Sequence, residues 1–251
     1  MTRRPGTLSI ASSPLPALGR FLLTLSSLLS VCWLSWHLLA AVDFGYGAGY
    51  RLLHIEQHIQ RYGPANRFRP GFGQTNPDQH HRLFGDIVTA IQSGGAGLQQ
   101  IYYRTGDGRR HPLLRPPEVQ HLQDVARLIT AFNWAGLAGS LALLVLADIY
   151  YRRGLTPPTP GRMATGLLIS IALLAVLMAL VGPTRVFYWL HTWVFPADHQ
   201  WFFYYQESLM TTLMKAPDLF GFIAVLWGLL TLVLFALLQW ALHRVLRHPG
   251  H

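Results

Sequence analysis

Pro116-Pro117-Glu118-Val119-Gln120-His121-Leu122-Gln123-Asp124-Val125-Ala126-Arg127-Leu128 is the stretch on which the reading of this chain turns. Tandem prolines suit the first turn of a helix, where the N–H they lack has no intrahelical partner anyway. No breaker follows until well inside an apolar run that begins near Leu128, so the spacing predicts one continuous helix. Its first turns are polar and its remainder is long enough to cross a bilayer. Glu118, His121 and Asp124 recur every third residue, which on a helix makes them neighbours. Those turns therefore read either as an ordinary charged surface or as a titratable imidazole between two carboxylates, just above a membrane.

Composition supports the membrane reading. Half of the 251 residues are apolar and only 12% are charged, and the mean hydropathy is positive. Four stretches reach the roughly 20 apolar residues that a core of about 30 Å requires: Phe21–Val42, Leu128–Ile149, Met163–Val181 and Leu219–Leu242. The sequence thus divides into a tail and first span (1–42), an extracytoplasmic cap (43–127) and a second and third span with their connection (128–181). An aromatic loop (182–218) and a fourth span with its tail (219–251) complete it. The expected fold is a mainly α, four-helix membrane bundle under a small cap.

Arginine decides the expected sidedness. Arg3, Arg4, Arg20, Arg152, Arg153, Arg162, Arg244 and Arg247 flank one side through short segments. The loop between spans three and four offers only Arg185 and Lys215. The positive-inside rule then puts both termini in the cytoplasm, long translocated segments being largely exempt from it. Ten of the eleven acidic residues fall on the outer side, Asp148 being the exception. The net charge of +9 therefore reflects topology and a basic cap, and no nucleic-acid partner is expected. The first apolar run is too long for a secretory signal and no small-x-small cleavage site follows it. A single cysteine, Cys32 inside the first span, excludes an internal disulfide.

Within the cap, Gly45, Gly47 and Gly49 read as a loose turn. Arg51–Arg61 reads as one short helix with His54 and His58 on one face. His81–Gln92 has helical apolar spacing closed by Gly94, Gly95 and Gly97. Ile101–Tyr103, Gly106–Gly108 and His111 read as strand, turn and strand. Small residues at Ala135, Gly136, Gly139 and Ser140 mark a close helix contact in the second span.

Three constellations carry possible chemistry. His54 and His58 with Glu56, His80 and His81 suggest a metal site, although the H-E-x-x-H pattern is absent. A haem held between spans needs histidines on facing helices, and His37 is the one histidine deep in a span. It is expected to pack on a polar neighbour. His121 and His191 each stand at the outer edge of a span, and a closing cap would bring them to one site. Two imidazoles could serve as base and acid on one substrate. Ten of the nineteen residues from Phe187 to Tyr205 are aromatic, a composition that suits the headgroup level, but a belt alone does not explain His191. No serine elbow or reactive cysteine is visible, so direct transfer is favoured over a covalent enzyme intermediate.

With these residues in view, the chain resembles the four-span bacterial membrane family of the lipoprotein intramolecular transacylases. The likeness rests on Glu118-Val119-x-His121-Leu122-x-Asp124-Val125, on Phe187-x-x-x-His191, Phe195 and Trp201, and on Pro217-x-x-Phe220. The resemblance implies catalytic roles for His121 and His191. It implies binding or supporting roles for Glu118, Asp124, Arg127, Phe187, Phe195 and Trp201. The implied reaction moves the sn-2 acyl chain of a diacylglyceryl lipoprotein onto the amino group of its N-terminal cysteine, giving a lyso-form lipoprotein. No metal or other cofactor is implied, and the setting would be the bacterial cytoplasmic membrane with the site on the outer side. Its partners would be the lipoprotein and membrane lipids, the oligomeric state being open. Two alternatives stand beside it: a non-catalytic lipid- or partner-binding membrane protein, and a metal-dependent membrane enzyme using His54, His58, His80 and His81.

Overall fold

The longest element of the computed structural model, which describes residues 15–247, is α5 (Pro116–Arg152), an unbroken helix of 37 residues. At 1.5 Å per residue it is about 55 Å long, against a hydrocarbon core of about 30 Å. Its first three turns, Pro116–Arg127, therefore stand clear of the apolar span. Glu118 fixes the start: its carboxylate accepts the backbone N–H of Arg115 at 2.7 Å and closes a capping box.

Three further helices have bilayer length: α1 (Leu15–Ala40), α6 (Pro160–Val181) and α9 (Asp218–Leu246). α1 packs along α5 and α9, whereas α6 leans on α9 and buries none of its residues. Two glycines explain how closely α1 and α5 approach. A Cβ at Gly136 would collide with the Trp33 ring, and one at Gly139 would sit 2.8 Å from Leu29 Cβ. His37 Nε2 and Trp33 Nε1 both reach Asn133 Oδ1, at 3.0 and 3.2 Å, so His37 packs on a polar neighbour as expected. At one end of the bundle Leu23, Leu143, Tyr150 and Leu246 form a small apolar cluster. Arg20, Arg152, Arg153, Arg162, Arg244 and Arg247 belong to that end. Arg3 and Arg4 lie outside the described residues.

The segment between α1 and α5 folds at the opposite end. It contains α2 (Tyr46–Leu52), α3 (Ile55–Tyr62), α4 (Pro77–Gln92) and the antiparallel pair β1 (Tyr102–Arg104) and β2 (Arg110–Pro112), with Tyr103 opposite His111. The strand pair and α4 follow the sequence reading. Two details of the first part do not. Gly47 and Gly49 lie inside α2, the turn being confined to Asp43–Gly45. The helix expected over Arg51–Arg61 breaks at His54, whose backbone is left-handed (φ 53°). That break separates His54 from the face that carries His58.

One core joins the cap to residues far along the chain. Tyr46, Ile55, Ile59, Phe72, Leu83, Ile87, Tyr103 and Leu113 pack with Phe203, Leu209, Leu213 and Leu219. Each large apolar side chain so buried contributes about 1.5–3 kcal/mol. The interval 182–218 is more ordered than a loop: it contains α7 (Pro183–Val194) and α8 (Leu209–Met214). α8 is buried throughout, and Tyr46 Oη donates to the Leu213 carbonyl at 2.8 Å. The cap is thus built from two separated segments, and the chain between α7 and α8 runs across the projecting head of α5.

Candidate active site at the head of α5

His121 and His191 meet where those pieces converge. Their ring centroids are 6.4 Å apart, with planes inclined by 29°. Phe195 touches both, 4.8 Å from His121 and 5.2 Å from His191. Phe203 lies 6.0 Å from His121, while Phe187 and Trp201 lie 3.9 and 4.9 Å from His191. Four aromatic rings thus wall two imidazoles. Phe187, Phe195 and Trp201 were expected here from the sequence; Phe203 was not singled out.

The two histidines differ in their bonds. His191 Nδ1 is 2.7 Å from the Phe187 carbonyl oxygen. That oxygen can only accept, so Nδ1 carries the hydrogen and, in the neutral ring, the free lone pair is on Nε2. Burial lowers the His191 pKa, opposed by the bond to Phe187. His121 Nδ1 is buried without a hydrogen-bond partner. Burial pushes His121 down to about 4, neighbouring His191 acts in the same sense, and the Asp124 charge opposes both.

The expected support of His121 by both carboxylates is therefore corrected. Three-residue spacing makes the positions adjacent, but each acid is engaged elsewhere. Glu118 is fully buried and receives hydrogen bonds from the Arg115 N–H and from Ser208 Oγ. Burial raises its pKa, against the opposing pull of Ser208 and Arg115. It locks α8 to the start of α5 and holds no bond to the histidine ring. Asp124 is bound by the guanidinium of Arg127 and by His199 Nδ1, the latter at 2.6 Å. Arg127 is itself largely exposed. Sequence reasoning missed His199 and Ser208. His199 is embedded in the aromatic run and was visible as a second histidine there, whereas nothing local marks Ser208.

The cap histidines are spent separately. His80 is buried, with Tyr50 Oη 2.8 Å from Nδ1 and Thr75 Oγ1 2.6 Å from Nε2. His81 Nδ1 donates to the Pro77 carbonyl at 2.8 Å, and His58 stands between Tyr62 and Tyr205. Among the described residues no three His, Cys, Asp or Glu side chains are placed to hold a metal ion. That removes the geometry on which the metal-enzyme alternative rested. A polar cleft of about 660 Å³ on the cap, lined by Arg82, Arg104 and Arg110, shares no residue with the histidine site.

Four bilayer-length helices, with a cap folded over a walled histidine pair, define a multi-pass membrane protein whose paired imidazoles sit at the cap–bundle junction. The family model described as "Lipoprotein intramolecular transacylase Lit" matches residues 111–217, the interval that carries both histidines and all four aromatic walls. Over that interval, less than half of its length, the chain is similar to that family of membrane enzymes. In fold it is similar to structures of the membrane integral lipoprotein intramolecular transacylase Lit from Bacillus cereus. One shows 17% identity and a TM-score of 0.62, covering 92% of this chain and 95% of that one. A variant of that protein with a histidine replaced by alanine gives 15% identity and a TM-score of 0.63, covering 92% and 93%. No curated protein matches the sequence.

Proposed function

We propose that this protein transfers the sn-2 acyl chain of a diacylglyceryl lipoprotein to the amino group of its N-terminal cysteine, using His191 and His121. The observation that carries the reading is the pair itself: two desolvated imidazoles 6.4 Å apart inside an aromatic wall, in the interval matched by the transacylase family.

Ester and amine belong to one substrate molecule, so the site has mainly to fold that molecule into a reactive geometry. Positioning of this kind contributes about 7–11 kcal/mol, and acid–base assistance adds on the order of 10²–10⁴-fold. The amine attacks the ester carbonyl as its proton passes to His191 Nε2, the nitrogen left free by the Phe187 bond. The carbon–nitrogen bond forms, the ester carbon–oxygen bond breaks, and the glyceryl oxygen leaves with the proton that His191 Nε2 returns to it. His121, held neutral by burial, is suited to donate a hydrogen bond to the developing oxyanion. The carboxylates do not make His121 the base: Glu118 holds no bond to its ring, and the Asp124 charge does not overcome burial and the neighbouring His191. The products are an N-acyl cysteine and a free sn-2 hydroxyl, with atoms and protons balanced.

The arginine distribution supports a cytoplasmic location for both termini and for the α5–α6 connection. The cap then faces outward, where a lipoprotein's modified cysteine lies. The reading is tested by mass spectrometry of lipoprotein N-termini from cells with this protein as the sole transacylase. His121→Gln and His191→Gln should each abolish the N-acyl, S-monoacylglyceryl form while the protein still accumulates in the membrane. Normal levels of that form with His121→Gln would overturn the mechanism.

A further inference from the structure

Residues 195–204, between α7 and α8, contain no helix or strand, yet they supply Phe195, Trp201 and Phe203 to the histidine site. Backbone of this kind has no ladder to fix it, so its position depends on side-chain anchors. Within the stretch, His199 N–H bonds the Pro196 carbonyl and Gln200 Nε2 bonds the Phe202 carbonyl; both bonds are local. The ends of the stretch are held by their chain neighbours, Phe195 N–H bonding the His191 carbonyl of α7 and the Tyr204 carbonyl accepting from the Glu207 and Ser208 N–H groups before α8. Between those junctions, among the described residues, the one hydrogen bond that ties it to another element is His199 Nδ1 to Asp124 Oδ2, at 2.6 Å. Both side chains are mostly buried, with exposures of 19% and 7%. Asp124 lies three residues beyond His121 on α5, and Arg127 fixes its other oxygen. The anchor therefore joins the wall of the site to the helix that carries His121, within one turn of that histidine.

We propose that His199 is a positioning residue for the acyl transfer: through Asp124 it clamps the aromatic strap onto α5 and so holds Phe195, Trp201 and Phe203 against the His121–His191 pair. The proposal rests on the transacylase reading above. A carboxylate can only accept, so His199 Nδ1 donates, and this is the property a replacement must reproduce. Asparagine carries an amide N–H on its Cγ, as histidine carries Nδ1 on its own, and can make the same bond. Alanine cannot. A strap released by an ångström or so misplaces the reacting groups, a displacement that costs on the order of 10²-fold in rate.

The test uses full-length protein in detergent with a diacylglyceryl lipopeptide, the N-acyl product being followed by mass spectrometry. His199→Ala is expected to lower kcat about 10–100-fold with KM changed less than about twofold and the thermal midpoint kept. His199→Asn is expected to recover to within about threefold of the unmodified protein. The Asp124→Ala/His199→Ala double variant should be no slower than the slower single one, because both remove one interaction. Full kcat in His199→Ala, equal loss in Asn and Ala variants, or additive losses in the double variant would overturn the proposal. His121→Gln run alongside separates the two levels. If it remains active, the histidine mechanism itself fails. If it is inactive while His199→Ala is unaffected, only the positioning role fails.

Discussion

His191 Nδ1 lies 2.7 Å from the carbonyl oxygen of Phe187, one helical turn earlier on α7. That bond fixes the ring's tautomer and leaves Nε2 as the free basic nitrogen, on a ring whose centroid is 6.4 Å from that of His121. A side chain that sequence spacing could only nominate thus acquires a defined basic atom.

The pH dependence follows from the sign of the shift. Burial lowers the His191 pKa below the usual histidine value of about 6.5, so the neutral base predominates at pH 7. The rate of N-acylation by the enzyme should be flat from pH 7 down to about 6.5 and fall only below that, as the ring protonates. The substrate amine, with a pKa of about 7.7–8.0, adds an acid limb of its own, so each rate is first divided by the fraction of amine that is unprotonated at that pH. An acid limb centred above pH 7 would contradict the assignment of His191 as base.

Close packing of α1 on α5 should be most sensitive at Gly136, ahead of the neighbouring small residues. A Cβ there would overlap Trp33 Cγ, while at Gly139 it meets Leu29 Cβ less closely, at 2.8 Å. Gly136→Ala should destabilise by about 1–3 kcal/mol through overpacking, and Gly139→Ala by less. Gly166 on α6 has no such neighbour within 4 Å, so Gly166→Ala should be neutral or stabilising. Thermal unfolding of the three variants in one detergent checks the order.

The cap should be acid-labile through His80. Burial, reinforced by neighbouring His81, holds its pKa at about 4, against about 6.5 when unfolded. Between those values the unfolded chain binds the proton and the folded chain does not, so stability rises with pH. The contribution is fully present above pH 6.5 and is lost as the pH falls toward 4, by about 3 kcal/mol at most. His80→Gln, read by denaturation of the cap at pH 7 and pH 5, should flatten this dependence while lowering stability at pH 7.

Sidedness is open to direct labelling. Ala96 and Ala197 are exposed, one in the cap and one in the strap, and the native Cys32 lies inside α1. Cysteines placed at these two positions should react with a membrane-impermeant maleimide added to intact cells, whereas one at Gly154 should react only after lysis. The reverse pattern would invert the proposed topology.

What the sequence determined by itself was whatever depends on local period and length. Four apolar runs of bilayer length, the prolines that open α5, the α4 spacing and the strand pair are all properties of neighbouring residues, and each formed as its pattern dictates. His121 and His191 were legible for the same reason, since each sits at a boundary that hydropathy marks. Only the tertiary structure decided who pairs with whom. Glu118 and Asp124 flank His121 at helical spacing, yet one bonds Ser208, 90 residues away, and the other His199, 75 residues away. No local rule encodes those partners, because a buried carboxylate takes whichever donors the packed chain brings to it. The break at His54 was hidden too: its left-handed backbone is imposed by the packing of α2 and α3 into the shared cap core. The site exists because residues 43–127 and 182–218 close one core over the head of α5, and long-range burial of that kind leaves no periodic trace in either segment.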